Sequence, residues 1–367
     1  MQTLASGLRE QICEESSRVR EDLHCEVVAD PQRLHEIESE WRALWTSSPD
    51  ATPFQSPDWL LPWWKHYGEG ELLSFAFWHG GRLVGFAPLY VFRSQRPYPV
   101  PQKARDKDGA PQPIEPARKL FLLGMGNSDY LGVLFNPAFR LQCWRALLAE
   151  IRNRAACWDV CSFERLPRGS PLSEDVVNAP ELRVEVSQQV PCVAIDLQDL
   201  GHGSVLLKRS HGYARKLQTV HSFTFEEATA GTLDEFSEAL ERLHQERWHE
   251  EGYQGALSSA RDRSFHREVA RRFLDAKMLM FYGIRMGGKL IAAIYGYRVR
   301  DRIYSYLSGF DPEYARHSVG AISIGYAVER AMQSGCHAFD FLQGQEPYKY
   351  TWGARDVPCL ARRIFKI

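Results

Sequence analysis

Apolar positions along this chain follow two rhythms: short continuous runs of strand length, and longer stretches in which an apolar residue returns every third or fourth place. The runs Leu72 to Trp78 and Met278 to Ile284 are each followed by a Gly-Gly pair and a second apolar run. The phrase Gly80-Gly81-Arg82-Leu83-Val84-Gly85-Phe86 returns 207 residues later as Gly287-Gly288-Lys289-Leu290-Ile291-Ala292-Ala293. Strand, Gly-Gly turn, strand predicts a β-hairpin, used once in each half.

The surroundings of the hairpin repeat as well. Helical patterns carrying Trp41, Leu44 and Trp45, then Trp59 to Tyr67, precede the first copy, and Phe236 to Trp248, then Phe265 to Leu274, precede the second. After each hairpin the order is strand, glycine-bearing loop, helix, strand. The first series is Leu120 to Leu123, the loop to Asn136, Arg140 to Ala155 and Trp158 to Phe163. The second is Ile303 to Leu307, the loop to Val319, Gly320 to Ser334 and Ala338 to Leu342. A duplicated α/β chain follows, two tandem domains of similar topology, each with a mixed α+β sheet.

Length and composition fit that division, because 367 residues exceed what one core usually serves and 44% hydrophobic content is ordinary for a globular chain. A formal net charge of −1 removes any global attraction to nucleic acid or an anionic membrane, so a charged partner must meet a local patch. Arg9, Glu10, Glu14 and Glu15 interrupt the start where a signal peptide would be apolar, and no run approaches a membrane span. A soluble cytoplasmic protein without membrane insertion is expected. The eight cysteines show no paired spacing suited to zinc, so reduced core residues and no metal are expected.

Two segments break the repeat. The proline-rich stretch 94–119 joins strands that a short turn could have joined, and reads as an insertion rather than a flap over a site. Residues 167–189 read as a linker and edge segment. The resulting division is an extension over 1–24, a first domain over 25–166, the linker, and a second domain over 190–367. A strand at Val190 to Leu197 and a basic helix over Val205 to Val220 open the second domain. The basic run, which includes Arg215 and Lys216, reads first as a solvated face and second as a clamp for an anionic ligand.

The second domain carries the richer chemistry. Ser305 to Pro312 ends a strand in a turn, and Tyr314 to Gly320 leads into a helix with small or apolar residues at Ala321, Ile324, Gly325, Val328, Ala331 and Met332. A buried helix start offers unpaired N–H groups and a positive dipole end, to which a phosphate binds readily, and Gly320 lets it come close. Beyond the helix, alternation places Phe339 and Phe341 on one face and Asp340 on the other, half-buried, with Lys349 as its plausible partner. By contrast, the first domain's loop Gly124 to Tyr130 lacks an acid/base cluster.

The order strand, turn, strand, strand, phosphate-type loop, helix, strand resembles the GNAT acyltransferase fold. Gly309-Phe310-Asp311-Pro312, Ser318-x-Gly320 and Phe339-Asp340-Phe341-Leu342-x-Gly344-x-Glu346-x-Tyr348-Lys349 resemble the CelD-type branch of that superfamily. Its members are double-GNAT chains associated with cellulose or exopolysaccharide synthesis, related to the Fem-type aminoacyltransferases. The resemblance implies tandem GNAT-like domains, the first degenerate, and an acyltransferase that uses acetyl-CoA or another acyl-CoA as co-substrate. It implies a donor site at Leu307, Ser308, Arg316, Ser318, Val319, Gly320 and Ala321. Asp340 or Glu346 would be the base and Tyr348 the acid. Arg215, Lys216, Trp248, Tyr306, Gln343 and Lys349 would contact substrate, an amine or hydroxyl on a small molecule, sugar or peptide.

The segment His317-Ser318-Val319-Gly320-Ala321-Ile322 departs from the GNAT signature Gln/Arg-x-x-Gly-x-Gly/Ala at its first and last positions, with Arg316 one place out of step. That departure keeps a rival open, aminoacyl transfer from charged tRNA, which would give the basic helix an RNA-phosphate role although the nearly neutral overall charge argues against extensive RNA contact. A non-catalytic accessory subunit on the same scaffold is the alternative of another class.

Overall fold

A computed structural model describes residues 23–94, 117–174, 182–201, 204–250 and 255–366. Most of the expected N-terminal extension and of the proline-rich insertion, and residues 175–181 of the expected linker, lie outside them. The strands are β1 (His24–Val28), β2 (Glu71–Leu72), β3 (Ser74–His79), β4 (Arg82–Ala87), β5 (Leu89–Ser94), β6 (Ala117–Leu122), β7 (Leu134–Phe135) and β8 (Val160–Pro167). They continue as β9 (Leu182–Asp196), β10 (Phe223–Glu227), β11 (Leu279–Met286), β12 (Lys289–Val299), β13 (Arg302–Phe310), β14 (Ala338–Gln343) and β15 (Arg355–Lys366). The chain forms two compact units, Met1–Gln189 with Leu360–Ile367, and Val190–Cys359.

In the first unit, β1, β3, β4 and β7 form one sheet, while β8, β6, β5 and β2 are successive neighbours in another. Pro88, which has no N–H to give a ladder, separates β4 from β5. Indole groups from the helix Pro57–Tyr67 tie down the loop Gly124 to Tyr130: Trp59 Nε1 donates to Ser128 Oγ at 2.9 Å and Trp63 Nε1 to Asn127 Oδ1 at 3.1 Å. Gln55 Nε2 donates to the carbonyl of Tyr130 at 2.8 Å. Asn127, Ser128 and the Tyr130 carbonyl thus hold the loop in place.

The second unit orders its strands β10-β11-β12-β13-β14-β9, antiparallel except for the parallel pair β13 and β14. β9 begins at Leu182, eight residues before the expected strand start. Its Leu182, Val184 and Val186 alternate with polar residues, a strand pattern that the expected linker had absorbed.

The repeated hairpin is present in both units and matches in detail. Both turn glycines have positive φ in each copy, 53° and 74° at Gly80 and Gly81, 55° and 81° at Gly287 and Gly288. That is the two-residue turn whose twist suits antiparallel strands. The register slips once in each hairpin, between Phe77 and Trp78 and between Ile284 and Arg285, leaving Val84 and Ile291 as the extra residues. These positions are again 207 apart.

One face of the second sheet packs on the helix Val319–Gln333. Ala327, Val328 and Ala331 meet Val193, Ile195, Ile303, Phe339 and Phe341, while Val319 and Ile322 meet Ile284, Ile291 and Leu217. The helix Val205–Gln218 crosses it at Gly325, where a Cβ would stand 2.0 Å from Ser210 Oγ. A second aromatic layer contains Phe236, Phe273, Phe281, Tyr295 and Tyr297, all fully buried, with Tyr297 Oη donating to Tyr295 Oη at 2.8 Å.

Candidate functional site

Two backbone irregularities open the second sheet. β13 and β14 pair only at Arg302 with Ala338, Ile303 with Phe339 and Tyr304 with Asp340, although both strands continue further. On β13 the register with β12 slips between Tyr295 and Gly296, so Tyr306 is the extra residue. The slip needs Gly296, because a Cβ there would stand 2.1 Å from the carbonyl oxygen of Tyr304. On β14, Leu342 takes the left-handed conformation at φ 61°, which an L side chain adopts at some cost.

Asp340 holds that kink. It is fully buried, its Oδ1 accepts from the Leu342 N–H at 2.8 Å, and its Oδ2 meets Arg302 Nη1 at 3.2 Å. The sequence placed this carboxylate half-buried beside Lys349; both expectations are corrected. Lys349 instead donates to the carbonyls of Gln343 at 2.7 Å and Gly344 at 3.3 Å, and pairs with Glu346 at 2.9 Å. Arg302 gave no sequence signal, since it sits just before an apolar strand where a surface charge is commonplace.

Beyond the divergence lies a cavity of about 530 Å³. Ser308 and Phe310 of β13, Ser318 to Ala321 at the helix start, and Tyr348 and Trp352 from the segment after β14 form much of its wall. Ser318 takes a left-handed conformation at φ 59° and gives no side-chain cap, so no side chain of the cap residue satisfies the helix start. Gly320 lies against Phe310, whose ring would be 3.1 Å from an added Cβ. The turn before the helix is fixed by Asp311, which accepts from the Glu313 N–H at 3.2 Å and binds Lys289 at 3.0 Å. The lining is apolar apart from serine hydroxyls, the Tyr348 phenol, the Trp352 indole and main-chain groups.

Of the expected donor-site residues, Ser308, Ser318, Val319, Gly320 and Ala321 line this cavity, as does Tyr348; Leu307 is the neighbour of Ser308 on β13, and Arg316 is exposed on the 3-10 helix Pro312–His317. Gln343 ends β14 and Glu346 is exposed directly before the short helix Pro347–Thr351. Tyr306, expected to line the site, turns its ring to His266 at 5.2 Å and Tyr297 at 6.0 Å and is not among the lining residues. Arg215 and Lys216 are exposed on the last turn of the helix Val205–Gln218. Trp248 lies in the helix Leu233–Glu250, with its side chain outside the described residues. Phe310 and Trp352 were legible only as an element of a motif and as one aromatic among many.

Among the described residues there is no group of three His, Cys, Asp or Glu that could hold a metal ion, and no helix long and apolar enough to cross a membrane.

Residues 207–350 match the family described as Acetyltransferase (GNAT) domain. The fold is therefore a mixed α/β architecture with a GNAT domain in its second half. Among solved structures, FemX is similar over 90% of this chain and 96% of its own, with a TM-score of 0.60 at 12% identity. L-PGS from Bacillus licheniformis is similar over 92% of each chain, with a TM-score of 0.53 at 10% identity. A protein of unknown function from Bacteroides thetaiotaomicron is similar over 93% of this chain and all of its own, with a TM-score of 0.58 at 11% identity. No curated protein matches the sequence. At these identities the shared property is the fold.

Proposed function

We propose that the second unit is an acyltransferase that moves an acyl group from acyl-CoA to an amine or hydroxyl acceptor. One observation carries the reading: an uncapped helix start at Ser318 to Ala321 faces a cavity that begins where β13 and β14 part. The residues fit the donor. Free N–H groups and the helix dipole suit its pyrophosphate, and the open edge of β13 beyond Tyr304 suits the extended amides of its pantetheine arm.

The chemistry needs three things of the chain. A backbone N–H at Leu307 or Ser308, freed from β14, stabilises the negative charge that grows on the carbonyl oxygen as the acceptor attacks. Glu346, held by Lys349, takes the proton from the acceptor nitrogen or oxygen through a water. Tyr348 returns a proton to the departing sulfur as the carbon–sulfur bond breaks and the new carbon–nitrogen or carbon–oxygen bond forms. We assign the base to Glu346 over Asp340 because the Asp340 carboxylate is fully buried and already engaged by Leu342 and Arg302. Gln343 and Lys349 shape the loop that presents the two groups, while the exposed Arg215 and Lys216 are left as contacts for acceptor or donor.

A CoA donor places the reaction in the cytoplasm, with acetyl the first group to examine. The CelD-type motifs direct the acceptor search towards envelope or exopolysaccharide precursors. The test is thermal unfolding of the full chain with acetyl-CoA, longer acyl-CoAs and free CoA. Ligand at about 100 times its dissociation constant stabilises the native state by about 2.7 kcal/mol. Gly320→Val should abolish that gain, because its branches would occupy the space beside Phe310 where the donor approaches. Absence of any shift would overturn the reading in favour of aminoacyl transfer or an accessory role.

A further inference from the structure

The cavity leaves unexplained the cations gathered at its rim. Pro312 and Ala315 of the 3-10 helix Pro312–His317 line the cavity. Tyr314 of the same segment packs with Tyr213 and Ala214 onto the cluster that contains Leu217 and Val319. This docking brings the end of the basic helix beside the helix start. The His221 ring lies 5.7 Å from His317 and 5.8 Å from Tyr314, and Arg316 Nε donates to His317 Nε2 at 3.2 Å.

Arg316 and Lys216 are exposed, and His221 and His317 are half-buried. The surroundings hold the His317 imidazole below its ordinary proton affinity, through partial burial first and then the positive charges of Arg316, His221 and Lys216. Of the acidic residues on the segment, Asp311 is bound to Lys289 and Glu313 is not among the charges acting on His317. Four basic side chains are therefore collected beside the cavity-lining residues Pro312, Ala315 and Ser318, and the charges that act on His317 are all positive. Such an arrangement costs free energy in the empty protein and is offset when a multiply charged anion enters.

We infer that His221, His317, Arg316 and Lys216 form a recognition site for a phosphate monoester, the 3′-phosphate of the CoA donor. The inference rests on the acyl-CoA reading and deepens it. The helix start takes a pyrophosphate through main-chain groups, which cannot tell CoA from its 3′-dephospho form. The rim supplies that discrimination, and the His317 imidazole, whose protonation partial burial and positive neighbours disfavour in the empty protein, gains a proton as the dianion arrives, so binding takes up protons.

The test is calorimetric titration of the full chain with CoA and with 3′-dephospho-CoA, at about pH 6.5 and about pH 8, where the phosphate is largely dianionic and proton uptake by His317 is favoured at the lower value. CoA should bind about tenfold or more tightly than dephospho-CoA, with the larger ratio at the lower pH. Titration in buffers of different ionisation enthalpy should show proton uptake with CoA. His221→Gln with His317→Gln should remove the uptake and the pH dependence, and Arg316→Gln with Lys216→Gln should shrink the ratio towards one. These side chains are exposed or half-buried, and an unchanged melt without ligand checks that each variant folds. Equal binding of the two ligands, or a ratio untouched by both double substitutions, overturns the inference and leaves the acyl-CoA reading standing. Binding of neither overturns both.

Discussion

Asp340 is the position at which a structural and a chemical role make opposite predictions. Its carboxylate is fully buried and engages the Leu342 N–H at 2.8 Å and Arg302 at 3.2 Å. Asp340→Ala leaves that N–H without its acceptor, a loss of about 1–3 kcal/mol. It also breaks an ion pair with one buried member, for which about 3–5 kcal/mol is typical. Arg302 is 38% exposed at its side chain and re-enters water when released, leaving no buried charge unpaired, so the ion-pair loss drops to about 1 kcal/mol and the total is about 3 kcal/mol. Asp340→Asn keeps an acceptor for Leu342 and should lose only about 1–2 kcal/mol. For a unit of this size, 3 kcal/mol corresponds to about 6–12 °C in melting temperature. Urea and thermal melts followed by circular dichroism read these values. A double-mutant cycle with Arg302→Ala isolates the ion pair. If Asp340→Ala melts with the wild type while transfer activity is lost, Asp340 is not the clamp of the kink and our assignment of the base to Glu346 is wrong.

Three further outcomes follow from the same geometry. Gly296→Ala should destabilise the second unit by more than about 2 kcal/mol in urea titration, since its Cβ meets a backbone oxygen that cannot swing away. With an acceptor in hand, Tyr348→Phe and Glu346→Gln should each lower kcat by about 10²–10⁴-fold with little change in donor affinity, read by steady-state kinetics beside calorimetric titration of the donor. His266, wholly buried, has its proton affinity pushed down to about 3 by burial. The unfolded chain therefore binds the proton first: the contribution of the neutral ring is full above about pH 6.5 and declines as pH falls towards 3. Comparing chemical melts of the wild type and His266→Phe between those limits should show a shallower decline in the variant.

Local chemistry made much of this protein legible in one dimension. A Gly-Gly pair needs no distant contact to turn a chain, so both hairpins could be read from Gly80-Gly81 and Gly287-Gly288, and even their slipped registers repeat at Val84 and Ile291. The helix start at Ser318 to Ala321 was legible for the same reason, being a glycine-bearing loop before an apolar periodic run. Pairings between side chains distant in sequence were not. Asp340 chose Arg302 over Lys349, and Tyr306 turned to His266, because bulges at Gly296 and Leu342 reorient whole strand segments. The sequence by itself determined the repeated elements, since turns and periodicity act over a few residues. Only the tertiary structure decided which groups face the cavity, because strand divergence and helix docking depend on contacts that the linear order does not encode.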